Sequence, residues 1–365
     1  MTALLVIAIL VLLIVVHELG HFIVAKIFRV RVDEFGLGYP PRAFTFGKIG
    51  GTEYTLNWIP FGGFVRLFGE ESPPAGGERG KGSLVDASRW VQAGILIAGV
   101  AANAVLAWFL FAAALHIGIP AVVDHAEPGE VIHLYVSDIV PGSPASSGGI
   151  AAGDEIVGMQ DTAGSELVSL TPDSALEYVR VRGGQPIEVT YLHEGRREIA
   201  TMRPANAVAP DAAGRPALGI GLVLVANRAL PWSEALPGAV SATTGAFTAT
   251  ATALYEILRG MLTGSANLSG VVGPVGLVSV IGDASRSGLG NVLKLAAFIS
   301  VNLAIINLVP IPALDGGRLL ILAVEGIMRR RAHRLAVQVL NAFGIALIIM
   351  LMLVVTYHDV GRLLA

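Results

Sequence analysis

Hydrophobic positions along this chain gather into long blocks separated by regions of mixed polarity. Over residues 2–27 the only titratable side chains ahead of Lys26 are His17, Glu18 and His21. An apolar run of that length predicts a membrane-spanning helix. Further blocks of this kind cover residues 91–119, 291–309 and 335–358. The pattern breaks first over 28–90, which is polar and rich in glycine. Within it, 53–59 and 61–67 read as short strands joined at Pro60 or Gly62-Gly63, a hairpin of about 51–68. Residues 70–83, with their Pro, Gly and charge, read as a loop. The second break is 120–205, where charges return. Strands are expected there at 131–136, 155–159 and 187–192, and a helix at 174–181 opened by the Thr171-Pro172-Asp173 cap signal. This predicts one small soluble α+β domain. Residues 206–290 then read as a linker with a strand at 219–225 and an Ala/Thr-rich helix at about 232–262.

The expected fold is thus a polytopic α-helical membrane protein with four transmembrane helices, a β-hairpin and one soluble domain. Composition agrees: 15% of residues are charged and 53% hydrophobic, against about 25% charged in soluble domains. The net charge of −3 says little about partners, and no basic run suggests nucleic acid. The N-terminus lacks a basic leader and a small-residue cleavage site, so the first block reads as a retained span. Basic residues follow the first span (Lys26, Arg29, Arg31, Arg42, Lys48) and the third (Arg318, Arg329, Arg330, Arg331, Arg334). These ends are expected on the cytoplasmic side, which puts the soluble domain and both termini outside. For this parity to hold, the 232–262 helix must lie along the outer surface or pack on the bundle edge.

Ionisable groups inside an apolar span are costly and point to function. His17 and His21 are four residues apart, so a helix sets both imidazoles on one face, about 6 Å apart at Cβ. That spacing suits two neutral nitrogens gripping one Zn²⁺. Glu18, about 100° further round the axis, can reach a water at the metal without being a ligand. The chain has no cysteine, so a third ligand must be His, Asp or Glu. The candidate is Asp315, in the run Asn307-Leu308-Val309-Pro310-Ile311-Pro312-Ala313-Leu314-Asp315-Gly316-Gly317, within a third membrane segment placed at 291–320. Pro310 and Pro312 must open the helix there, and open backbone at membrane depth is tolerated only in a protein-lined or wet cavity. Asp315 could instead cap the next helix; the absence of cysteine, and of His, Asp or Glu in the core of the other two spans, favours the ligand reading. Asn307, beside the break, suits a donor to a developing oxyanion. Asn302 reads equally as a pocket residue or an interhelical hydrogen bond.

These motifs resemble the site-2 protease family of intramembrane zinc metalloproteases, and within it the bacterial RseP-type regulator proteases. His17-Glu18-Leu19-Gly20-His21 and Asn307…Pro310-Ile311-Pro312-Ala313-Leu314-Asp315-Gly316-Gly317 carry the resemblance. Gly51-Thr52-Glu53-Tyr54 with 60–65 is similar to that family's membrane-associated β-hairpin. Gly142-Ser143-Pro144-Ala145 with 152–156 is similar to its PDZ domain, and Gly273-Pro274-Val275-Gly276 to its segment before the third span. The resemblance implies zinc on His17, His21 and Asp315, Glu18 as base, and Asn307 against substrate. It implies cleavage within single-span membrane proteins such as pre-trimmed anti-sigma factors or remnant signal peptides, in a bacterial inner membrane. Only one PDZ-like domain is present, where the enterobacterial type has two. The hairpin edge, at Phe64, Val65 and Arg66, would pair with an extended substrate; an ordinary surface hairpin is the other reading. The alternative function is an inactive membrane-anchored peptide-binding scaffold, which intact Glu18 argues against.

Overall fold

The computed structural model describes residues 2–69, 82–125, 130–193, 195–206, 214–265, 272–330 and 332–364. The chain opens with α1 (Thr2–Ile27), β1 (Val32–Ile49), β2 (Thr52–Leu67) and α2 (Arg89–Ile117). Then come β3 (Ile119–Val123), β4 (Ile132–Ile139), α3 (Pro144–Ser147), β5 (Glu155–Asp161), α4 (Pro172–Arg180), β6 (Ile187–His193), β7 (Arg196–Met202) and β8 (Ile220–Arg228). The rest is helical: α5 (Trp232–Thr263), α6 (Pro274–Arg286), α7 (Leu289–Leu308), α8 (Asp315–Met328) and α9 (Arg334–Leu364). Two compact units result, one of residues 118–229 and one of everything else.

In the helical unit, four stretches are long and apolar enough to cross a membrane: α1, α2, α7 and Leu335–Gly361 of α9. This is a multi-pass membrane protein. Between helices in lipid, close approach of small residues does the work that hydrophobic burial does in water. At Gly20 of α1 a Cβ would stand 2.4 Å from the Ala98 carbonyl oxygen and 2.8 Å from the Ala102 methyl of α2. Ala107 and Ala112 of α2, Ala297 and Val301 of α7, and Ala239 and Ala246 of α5 form a second small-residue seam. The 232–262 helix is therefore α5, packed along α2 and α7. Trp232 stacks on His116 at 4.2 Å, the Trp108 indole donates to the Leu236 carbonyl at 3.1 Å, and Thr250 donates to Asn302 at 2.7 Å.

The segment expected over 291–320 is two helices, α7 and α8, parted at Pro310 and Pro312. The β region also differs from expectation. Strands 53–59 and 61–67 do not pair with each other. Both flank residues 34–37 of β1: Glu34 lies opposite Glu53 on one side and Arg66 on the other, and Leu37 opposite Leu56 and Gly63. The second half of β1 pairs with 52–57. Pattern reading missed β1 because Gly36, Gly38, Pro40, Pro41 and Gly47 interrupt its alternation. The arm 63–66 is left at one margin of the sheet, paired to 34–37 alone among the described residues.

The other unit is an antiparallel sheet in the order β3-β8-β4-β5-β6-β7. Leu134, Val136, Ile156, Ile187, Val189 and Tyr191 form its core with α4 residues Ala175 and Val179. The expected boundary at 205 moves to 229, because β8 sits between β3 and β4 within the sheet. Ser143 and Thr171 cap α3 and α4, accepting the amides of Ser146 and Ser174.

Gly20→Leu should wedge α1 from α2 and lower the thermal unfolding midpoint of the detergent-solubilised protein, overpacking of this kind costing about 1–3 kcal/mol. Leu19→Ala, at an exposed neighbour, should leave the midpoint within error.

Candidate metal centre

α1 delivers two imidazoles to one point. His17 Nε2 and His21 Nε2 lie 3.2 Å apart, and one oxygen of Asp315 lies 3.1 Å from the first and 3.2 Å from the second. Four donors placed tetrahedrally at about 2.0–2.1 Å from zinc stand about 3.3–3.4 Å from one another. The observed triangle comes within a few tenths of an ångström of one face of that tetrahedron, and the N, N, O donor set suits the metal. Among the described residues these three are the one group of His, Asp and Glu side chains close enough to share an ion.

Asp315 reaches this point because the backbone is broken just before it. After Leu308 the chain turns through Pro310 and Pro312, with the Ile311 amide donating to the Val309 carbonyl at 2.7 Å and Ala313 at φ +77°. α8 then starts at Asp315, folded tightly back on the break. A Cβ at Gly316 would stand 2.3 Å from the Leu308 carbonyl oxygen, and one at Gly317 2.2 Å from that of Ile311. Gly344 of α9 closes on the same turn, its Cβ position 2.0 Å from the Pro312 carbonyl oxygen. Asp315 is the first residue of α8, yet its carboxylate is spent on the imidazoles rather than on capping.

α2 forms the floor of the site. The Nδ1–H of His21 donates to the Ile95 carbonyl at 2.7 Å, which leaves the Nε2 lone pair free for a cation. At Gly99, one turn on, a Cβ would stand 2.4 Å from His21 Nε2 and 2.7 Å from His17 Cε1. Any side chain here would fill the space the two rings occupy. One further turn along, the Asn103 amide lies 3.2 Å from Nδ1 of His17. Pattern reading missed all three contributions. Ile95 acts through its backbone, which sequence does not reveal, and Gly99 resembles any small residue of a tightly packed span. Asn103, a lone amide in an apolar block, carried the same signal that singled out Asn302 and Asn307.

Glu18 faces the sheet. A Cβ at Gly63 would stand 3.2 Å from its Cγ, so the arm 63–66 begins beside this carboxylate. The Tyr39 phenol sits close by, its pKa raised by desolvation and by the Glu18 charge. Phe64, Val65 and Arg66 all lie on that arm, with Arg66 paired at 2.9 Å to buried Glu34 and set over the Phe64 ring. Asn307 is half-buried in the last turn of α7. Asn302 is turned to α5, where it accepts the Thr250 hydroxyl.

A carboxylate one residue from a two-histidine, one-aspartate cradle, its histidines on a helix fit to cross a membrane, defines the class: a metal-dependent hydrolase working inside the bilayer. The profile of peptidase family M50 matches residues 5–351, and the chain belongs to that family. A Clostridium perfringens protein assigned as a zinc metalloprotease is 34% identical over 354 residues, with 95% of each chain covered. An Agrobacterium fabrum protein with the same assignment is 29% identical, covering 98% of this chain and 95% of its own. The zinc metalloprotease RasP of Geobacillus kaustophilus is 25% identical over 95% of this chain and 94% of its own. Among solved structures, the PDZ domain of an SdrC-like protein from Listeria innocua is 22% identical, covering 25% of this chain and 92% of its own with a TM-score of 0.21. The protein is an intramembrane metalloendopeptidase of the site-2 protease family, and zinc is its cofactor.

Gly99→Ala puts a methyl group where the imidazoles stand. Purified protein carrying it should hold much less zinc per chain than wild type, by elemental analysis, while remaining folded.

Proposed function

We propose that His17, His21 and Asp315 hold the catalytic zinc, that Glu18 is the general base, and that the enzyme cuts single-span membrane proteins within or near their transmembrane segments. The donor triangle carries this reading: three side chains from positions 17, 21 and 315 meet within 3.2 Å. Zinc bound there supplies the Lewis acidity that activates water and polarises the scissile carbonyl. Glu18 accepts the proton of the attacking water and returns it to the leaving amine. Asn307, in the last turn of α7, donates to the carbonyl oxygen as negative charge gathers on it.

A substrate helix hides its carbonyls in its own hydrogen bonds and must be drawn out before attack. The arm 63–66 supports that role, being a sheet margin that starts beside Glu18. An extended segment added along Phe64, Val65 and Arg66 would be held through main-chain bonds with little sequence preference. The exposed Phe44, Phe46, Ile49 and Trp58 of the same sheet suit contact with membrane lipid. The unit at 118–229 serves as a PDZ-like filter on the outer side of a bacterial inner membrane, with both termini on that side and the active site towards the cytoplasm. Bulky outer domains are thereby excluded, so that substrates arrive already trimmed, as pre-trimmed anti-sigma factors or remnant signal peptides would.

Glu18→Gln should retain one zinc per chain and lose cleavage of a model transmembrane substrate by at least about 10²-fold, the scale of a positioned acid–base group. Asp315→Ala and His17→Ala should lose both metal and activity; full zinc content in either would defeat the ligand assignment. A photo-crosslinker at Val65 on the Glu18→Gln background should capture the uncleaved substrate. Capture from Phe46, on the opposite arm, with none from Val65 would rule out pairing at this margin.

A further inference from the structure

Asn103 is fully buried in α2, at a depth where an unpaired polar atom is costly. Its backbone carbonyl accepts the Ser300 hydroxyl of α7 at 2.8 Å, and its side-chain amide touches Nδ1 of His17 at 3.2 Å. The amide oxygen has no partner. For His17 to offer its Nε2 lone pair to a cation, the ring proton must sit on Nδ1, and a buried Nδ1–H needs an acceptor. A half-turn of the amide exchanges its oxygen and nitrogen at nearly no change in shape. It brings Oδ1 onto that proton.

We propose that Asn103 is a positioning residue for the metal centre, its amide oxygen accepting the Nδ1–H of His17 and committing Nε2 to zinc. The inference rests on the assignment of His17 as a ligand. His21 shows the same device in completed form, its Nδ1–H held by the Ile95 carbonyl at 2.7 Å. Residues 95, 99 and 103 are spaced four apart, so they fall along one stripe of α2. That stripe gives each imidazole an acceptor, with Gly99 between them leaving room for the rings. In either orientation one atom of the Asn103 amide stays unpaired, and an apolar residue of similar volume would spare the helix that cost. The hydrogen bond to His17 is what offsets it.

The test measures zinc affinity of the full-length protein in detergent, by competition with a chelator, for wild type, His17→Ala, Asn103→Ala and Asn103→Asp. Asn103→Ala should bind zinc about 10–100-fold more weakly, the usual effect of losing a partner behind a metal ligand. Asn103→Asp, which keeps an oxygen acceptor in place, should stay within a few-fold of wild type. Unchanged affinity in Asn103→Ala, or equal weakening in both variants, overturns the proposal. Should Asn103→Ala fail to fold, Asn103→Asp decides alone, and a loss of tenfold or more counts against it. His17→Ala separates the two levels. If it leaves affinity unchanged, the ligand assignment itself has failed; if it abolishes binding while Asn103→Ala does not, only the positioning role falls.

Discussion

A hydrocarbon setting gives a polar group no solvent to fall back on, and the helical unit is arranged around that constraint. Two imidazoles in a membrane helix and a carboxylate at the start of α8 would be a burden if each stood alone. Brought within 3.2 Å of one another, they form a single polar island whose donor triangle could hold a divalent cation. The surroundings serve that convergence. The Gly20 contact draws α2 against α1, the double-proline break frees Asp315 from helical geometry, and Gly316 and Gly317 let α8 turn back hard enough to aim it.

The same constraint explains why the residues of the candidate centre were conspicuous in the chain alone. Charge and imidazole inside an apolar block are conspicuous, so His17, Glu18 and His21 stood out at once. Asp315 stood out because two prolines in a membrane helix demand an explanation. The long apolar helices followed from block length. What stayed hidden acts through backbone or through the absence of a side chain. The Ile95 carbonyl has no signature in sequence, and the role of Gly99 becomes visible only when a Cβ is placed against the rings behind it.

Misreadings came where local pattern and long-range pairing disagreed. Residues 53–59 and 61–67 look like the two arms of one hairpin, yet each pairs with 34–37, a segment whose glycines hide its strand character. The boundary at 205 failed for a related reason. The strand at 219–225 was foreseen, but it joins the sheet between β3 and β4 after a long excursion, and contacts so distant in sequence leave no local trace. Asn302 was left between two roles; its partner, Thr250, lies on a helix that weak hydropathy made hard to place.

The Gly99 contact carries a mechanical consequence. The α2 backbone at Gly99 lies directly against the two rings of α1, so a slide or rotation that brought a side chain to this spot would collide with an imidazole. Under the proposed mechanism, a peptide would have to enter and leave past other elements, such as the sheet margin beside Glu18 and α9, which leans on the Pro312 turn through Gly344 and is otherwise largely uncovered. Tight packing on one side of the site sets where any compliance has to come from.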